Sequence, residues 1–222
     1  MGKLIVIEGL DGSGKSTQEN LLRQKLADKG ININCIKLPN YDDPACELVK
    51  MYLAGRFGNK PSDVNAYAAS TFFAVDRYVS YNCYWKEKYL NGEVFLADRY
   101  TTSNAYHQLT KTPEDEWDAY LEWLEEFEYN KMGIPKPDAV IYLDMPIEVS
   151  QKLMTGRYNG DESKKDIHEK DVEYLNSCRK AADYSCKKLG WTRIVCAENG
   201  EPLPIEIISE KVFAAVEKAL EL

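Results

Sequence analysis

The chain has 222 residues, 44% hydrophobic and 29% charged, enough for one well-buried α/β domain and incompatible with extended disorder. Its formal net charge of −8 argues against sequence-independent nucleic-acid binding, so an anionic ligand must be met by a local cluster of cations. Six scattered cysteines without a C-x-x-C pair point to neither a zinc site nor a redox dithiol, and reduced thiols in the cytoplasm are expected.

The first apolar run, Leu4 to Ile7, is broken at once by Glu8 and Gly9, so it reads as a buried strand and not as a signal peptide or membrane span. Gly9-Leu10-Asp11-Gly12-Ser13-Gly14-Lys15-Ser16-Thr17 follows and fits G-x-x-x-x-G-K-[ST]. A helical pattern comes next, with Leu21, Leu22, Leu26 and Ala27 at helical spacing and Gly30 at its end. In this strand-loop-helix setting the glycines let the backbone curl until successive N–H groups aim at one phosphate, and the helix adds its positive end. Gly9, Asp11, Gly12, Ser13, Gly14, Lys15, Ser16 and Thr17 are therefore the expected triphosphate site. Lys15 reaches the β/γ-phosphates, Ser16 offers its hydroxyl to Mg²⁺, and Thr17 supports the turn or the α-phosphate. The competing reading, an ordinary glycine-rich turn capping a helix, does not account for the agreement of all fixed positions and both flanks.

Ile31, Ile33 and Cys35 alternate before Ile36 to Leu38, a second strand ended by Pro39, and the βαβ unit so formed predicts a parallel sheet. Pro39 to Pro44 is a loop at the ligand end of that strand, followed by a short helix from Glu47 to Leu53. Ser62 is the expected N-cap of a long helix running to about Tyr89. Phe73 and Arg77 share one face of it and can take a base together, by stacking and by hydrogen bonding its edge. Tyr78, Tyr81, Trp85 and Tyr89 form another stripe, read mostly as core or subunit interface.

Val94 to Ala97 is a third strand, ending in Asp98-Arg99-Tyr100 on the ligand side of the sheet. Asp98 is suited to a Mg²⁺-bound water and Arg99 to a phosphate, with a structural ion pair as the competing reading. Thr112-Pro113 is expected to cap an acidic helix to about Asn130 that packs through Trp117, Tyr120, Leu121 and Leu124, its carboxylates forming a solvated face. Ala139 to Leu143 is a fourth strand, ending in Asp144. The glycine-containing basic stretch at about 155–166 reads as a mobile lid that can bring Arg157, Lys164 or Lys165 to a transferring phosphoryl group. A helix from Ile167 to Leu189, a fifth strand from Trp191 to Cys196, a loop from Ala197 to Pro204 and a helix from Ile205 to Leu220 complete a single α/β domain, residues 1–222.

Glu8 to Thr17, Pro39-Asn40-Tyr41, Phe73 to Arg77, Asp98-Arg99-Tyr100 with Ser103-Asn104, Tyr142-Leu143-Asp144 and Asp166-Ile167-His168-Glu169 together resemble the thymidylate kinases, over essentially the whole chain. The resemblance implies a P-loop NTPase fold with a five-stranded parallel sheet in the order 2-3-1-4-5, flanked by helices on both faces. It implies transfer of the γ-phosphoryl group of ATP to dTMP, giving dTDP and ADP, with Mg²⁺ as cofactor, and a homodimer. By position, Asp11 lies near the acceptor's sugar 3′-hydroxyl, Phe73 stacks on thymine, Arg77 bonds the base edge and Arg99 holds the acceptor phosphate. Asn104 and Gln108 face the thymine or its surroundings, and Tyr41 or Arg56 takes the contact that some relatives give to an arginine beside Asn40. The phosphate loop has no arginine, so the catalytic cation is expected from the lid, as in bacterial-type members; Lys15, Arg99, Asp11 and Arg157 form the expected catalytic set. Adenine is expected against Ala197 to Pro204. Two rival functions are a deoxynucleoside kinase, with Glu8 or Asp98 as base, and a nucleotide-hydrolysing switch, which the incomplete guanine motif at Asn59-Lys60-Pro61-Ser62 disfavours.

Overall fold

The computed structural model describes residues 1–157 and 171–222, without the side chains of 155–157. Among them, β1 (Lys3–Glu8), β2 (Ile33–Lys37), β3 (Val94–Asp98), β4 (Ala139–Asp144) and β5 (Thr192–Val195) form one parallel sheet, in the expected order β2-β3-β1-β4-β5. The helices are α1 (Lys15–Asp28), α2 (Glu47–Leu53), α3 (Ala66–Ser80), α4 (Lys86–Leu90), α5 (Thr101–His107), α6 (Trp117–Glu125), α7 (Ile147–Arg157), α8 (Val172–Leu189) and α9 (Ile205–Leu220).

Both parities of the central strands are apolar because both faces of the sheet are covered. Leu4, Val6, Phe95, Ala97 and Val140 pack in one core with Tyr81, Trp85 and Tyr89. Ile5, Ile7, Leu96, Ile141 and Leu143 pack in the opposite one, against Leu22 and Leu26 of α1 and Val212 and Val216 of α9. A third core joins Tyr106 of α5, Tyr120, Leu121 and Leu124 of α6, and Cys178 and Ala182 of α8. The register sets Ile7 opposite Asp98 and Glu8 opposite Tyr142, so β1, β3 and β4 end on one edge. The strand order reverses at β1, which makes that edge the ligand crevice of an open α/β sheet.

Several boundaries differ from the sequence expectation. Ser62 lies in a 3-10 turn, Val64 is extended, and the cap of α3 is Asn65, whose side chain accepts the Ala68 N–H at 2.8 Å. From α3 the chain passes through a π-helical turn, Tyr81–Trp85, into α4. Tyr81, Trp85 and Tyr89, spaced by four, are buried edge-to-face, with ring centroids 4.7 and 5.8 Å apart along the series, whereas Tyr78 is exposed. Thr112 does not start the acidic helix: it closes the 3-10 turn Leu109–Lys111, its hydroxyl donating back to Leu109 O at 2.8 Å, and a second 3-10 turn, Glu114–Glu116, precedes α6. A π-helical turn, Glu126–Lys131, ends that helical segment.

The helix expected from Ile167 begins at Val172, where the extended Asp171 caps it by accepting the Tyr174 N–H. Of the expected lid, only the backbone of 155–157, in α7, is described; Lys164 and Lys165 lie outside the described residues, as does the side chain of Arg157. The stretch Ala197 to Pro204 is not all loop. β6 (Ala197–Glu198) and β7 (Glu201–Pro202) pair antiparallel around Asn199-Gly200, both at positive φ as an Asn-Gly hairpin turn requires.

Candidate active site

The phosphate loop curls at three glycines with positive φ: Gly9 at 154°, Gly12 at 78° and Gly14 at 89°. A Cβ at Gly12 would sit 2.7 Å from Ser150 O and 2.9 Å from Met154 Cγ, so α7 approaches the loop too closely for any side chain there. The Lys15 ammonium donates to Gly9 O at 2.9 Å and Leu10 O at 3.2 Å and lies 4.0 Å from the Asp11 carboxylate. Burial, and then the Arg99 charge, pull Lys15 down to about 8 against the pull of Asp11.

Arg99 leaves the end of β3 with φ 70°, a left-handed conformation that costs a residue with a Cβ about 1 kcal/mol. Its guanidinium is held at both tips. Nη2 donates to Asp11 Oδ1 at 2.6 Å, while Nη1 donates to the Tyr106 hydroxyl at 3.2 Å and lies 3.4 Å from His107 Nε2. Asp11 is pushed up by burial but drawn well below the carboxylate range overall by Arg99 and Lys15. Arg99 thus pairs with the phosphate loop and not with its neighbour Asp98, contrary to the structural ion pair considered for Asp98-Arg99.

Glu8 is fully buried at the end of β1. Its carboxylate accepts the Tyr100 N–H at 3.1 Å and the hydroxyls of Thr102 at 2.6 Å, Ser103 at 2.8 Å and Tyr106 at 2.7 Å. Glu8 therefore fixes the turn from β3 into α5, and its oxygens are engaged in that task and not in proton abstraction.

Asp98 and Gln108 carry buried oxygens, Oδ1 and Oε1, that accept no hydrogen bond among the described residues. Both residues line the same large cavity, about 1370 Å³, above the carboxyl ends of the strands. Such a volume exceeds the roughly 300–1,000 Å³ of a typical single-ligand pocket. The lining of the cavity includes Gly12 to Thr17 with Pro202 to Ile205, tied together by Gln18 Nε2 donating to Ile205 O at 3.1 Å, and Tyr41, Phe73, Arg77, Asn104 and Gln108, with Asp11 and Arg99 also in the wall. Of the two residues considered for the contact near Asn40, Tyr41 lines the cavity and Arg56 does not.

In the same wall Phe73 stands edge-on to Tyr52 at 6.1 Å. Arg77 is buried and forked by Glu128, Nε to Oε2 at 2.6 Å and Nη2 to Oε1 at 2.5 Å. Glu128 was expected on a solvated face and is instead fully buried. The signal was in the spacing: Trp117, Leu121, Leu124 and Glu128 continue one inward stripe at helical period. Asp76, Tyr106 and His107 also escaped the sequence reading. Asp76 accepts the Asn40 N–H at 3.2 Å and so ties the loop after β2 to α3.

Set beside known proteins, residues 7–207 match the family model described as thymidylate kinase. The chain belongs to the thymidylate kinase family. Thymidylate kinase of Mycobacterium tuberculosis (strain ATCC 25618 / H37Rv) is 30% identical over 77% of this chain and 79% of its own. A probable thymidylate kinase of Thermococcus gammatolerans is 30% identical over 99% and 98%, and probable thymidylate kinase 1 of Saccharolobus solfataricus is 32% identical over 79% and 82%. The solved thymidylate kinase of Candida albicans shares the fold, with a TM-score of 0.69 at 20% identity over 98% of this chain and 92% of its own. As a member of the family the chain is a nucleoside monophosphate kinase that phosphorylates dTMP with ATP.

Proposed function

We propose that the two ends of the cavity divide this reaction between them. The phosphate loop binds the ATP triphosphate through its N–H groups and Lys15, with adenine toward Pro202 to Ile205. The acceptor dTMP lies at the other end, its base on Phe73 beside Arg77, Asn104 and Gln108, its sugar near Asp11 and Tyr41, and its phosphate on Arg99. The observation that carries this reading is the Asp11–Arg99 bond at 2.6 Å, which ties the acceptor arginine to the donor loop. Because the acceptor is already an anion, positioning and charge neutralisation do most of the catalysis, and no strong base is required.

The unpartnered buried oxygen of Asp98, with the exposed Ser16 hydroxyl at the start of α1, is an oxygen donor set that suits Mg²⁺. Ser16 directly and Asp98 through water would hold the ion, which when bound supplies positive charge between two polyanions. Around this site we place one domain, residues 1–222, a homodimer and a cytoplasmic location. Support for the dimer comes from the exposed Tyr67 and Tyr78 on one outward stripe of α3, with Tyr84 beyond them. Support for the location comes from six unpaired cysteines; no described helix is long and apolar enough to cross a membrane.

Arg99→Ala tests the division of labour. It is expected to raise KM for dTMP and lower kcat by about a hundredfold or more, with KM for ATP within about threefold of wild type. A variant in which KM for ATP rises while that for dTMP is unchanged would place Arg99 on the donor and overturn the assignment.

A further inference from the structure

Two cavity-lining side chains share a buried carboxylate that does not itself line the cavity. Glu128 accepts from Arg77 of α3, from the Thr101 hydroxyl at 2.7 Å and from Asn104 Nδ2 of α5 at 3.4 Å. Arg77 and Asn104 both line the cavity; Glu128 is fully buried behind them. A carboxylate only accepts hydrogen bonds, and so does the Ser70 carbonyl, which lies 3.4 Å from the same Nδ2. The amide of Asn104 is therefore locked with its NH₂ edge toward Glu128 and Ser70. Its Oδ1 has no partner among the described residues and is not sealed from the cavity. On Arg77, Glu128 takes Nε–H and one Nη2–H and Tyr100 O takes one Nη1–H at 3.5 Å, which leaves one N–H on each terminal nitrogen; Arg77 Nη2 and Asn104 Nδ2 meet at the same Glu128 Oε1, at 2.5 and 3.4 Å, so the two side chains stand side by side.

We infer that Glu128 is a positioning residue that sets base specificity, by presenting a donor, Arg77, next to an acceptor, Asn104 Oδ1. This pair complements a base edge that carries a carbonyl beside a ring N–H, as in thymine and uracil. It opposes cytosine, whose edge carries an amino group beside an unprotonated ring nitrogen, and it would leave both sides of the contact unpaired. The inference rests on the placement of the acceptor base in the proposed function. A neutral amide in place of Glu128 can turn either edge toward Asn104 and no longer neutralises Arg77, so the polarity of the pair is lost.

The test is the ratio of kcat/KM for dTMP over dCMP in wild type, Glu128→Gln and Glu128→Asp. The ratio is expected to be large in wild type, to fall at least tenfold in Glu128→Gln, and to be partly restored by Asp, with KM for ATP unchanged throughout. A wild type indifferent to dTMP and dCMP would overturn the placement of the base. A discriminating wild type whose ratio survives in Glu128→Gln, both acceptors losing equally, would leave that placement intact and overturn the role of Glu128. Wild-type protein gives a readout independent of how the variants fold. N3-methyl-dTMP, which lacks the ring N–H, should bind at least tenfold more weakly than dTMP, and equal binding would overturn the inference.

Discussion

Lys15 is the residue whose environment makes the sharpest prediction. Its ammonium is held at about 8, against 10.5 for an ordinary lysine, by burial and by Arg99. Because the folded chain holds this proton less tightly than the unfolded one, the penalty on stability is full below about pH 8 and is relieved as pH rises from there toward 10.5. Activity runs the other way. The charged form is needed to meet the triphosphate, so kcat/KM for ATP, which reports the free enzyme, should fall as pH passes about 8. Bound phosphates favour the ammonium, so kcat should hold to higher pH. A kcat/KM profile that stays flat from about pH 7 to about pH 10 would contradict this account of Lys15. Gly12 makes the companion prediction: in Gly12→Ala the positive φ and the 2.7 Å approach to Ser150 O force the loop apart, and nucleotide binding should be lost by equilibrium titration. These residues were legible in the sequence because the phosphate loop fixes residue types at fixed spacing. The support around them was not: Glu8, read only as a possible base, reaches the α5 turn through the sheet register, and Tyr106 and His107 meet Arg99 only because the left-handed Arg99 turns the chain from β3 into α5.

Among the elements, β4 is clamped from two sides by one carboxylate. Asp144 is 2% exposed and accepts from Arg179 of α8 at 2.7 and 3.3 Å and from Arg193 of β5 at 3.0 Å. Burial raises its carboxyl, but the two arginines outweigh that and hold it below its ordinary range. Its contribution to stability is therefore present at neutral pH and lost as pH falls through the depressed value. Removing one arginine leaves the other in place. Arg179→Ala and Arg193→Ala should each be mild, while the double variant should cost about 3 kcal/mol or more in urea denaturation, because it strands a buried charge; additive losses would show that the clamp does not act as a unit. Asn65→Ala should cost about 1 kcal/mol by removing the cap of α3, whereas Ser62→Ala should be silent. The five strands of the sheet were readable as apolar runs, and their order followed from the family resemblance; α5 went unread, and α3 and α4 read as one helix. The boundaries were not readable: Ser62 and Thr112 have the right chemistry for a cap, yet neighbouring backbone in 3-10 or extended conformation carries the helix start past them. The Asn199-Gly200 hairpin did carry a local signal, the dipeptide itself, but its strands are too short to register as apolar runs.

For the molecule as a whole, the sheet reversal at β1 brings the phosphate loop, Arg99 and the Phe73–Arg77 face into one cavity, and that is what turns a triphosphate cradle into a two-substrate site. The motif gave the phosphate loop that lines the cavity. The proposed acceptor end could be outlined from Phe73, Arg77 and Arg99, but not the support behind Arg77, which comes from Glu128 in a helical segment that presents mostly acidic surface. Self-association belongs at this scale too: sedimentation should give twice the chain mass, and Tyr78→Glu, placing charge on the exposed face of α3, should give the monomer. A wild-type monomer would remove the dimer from the account. The most direct measurement of the central claim is ADP formation with ATP, offering dTMP and thymidine as alternative acceptors in Mg²⁺. The paired placement of Arg99 and the phosphate loop predicts one ADP per dTMP consumed, with dTDP as product and no turnover of thymidine. Equal turnover of thymidine, or ADP release indifferent to either acceptor, would contradict it.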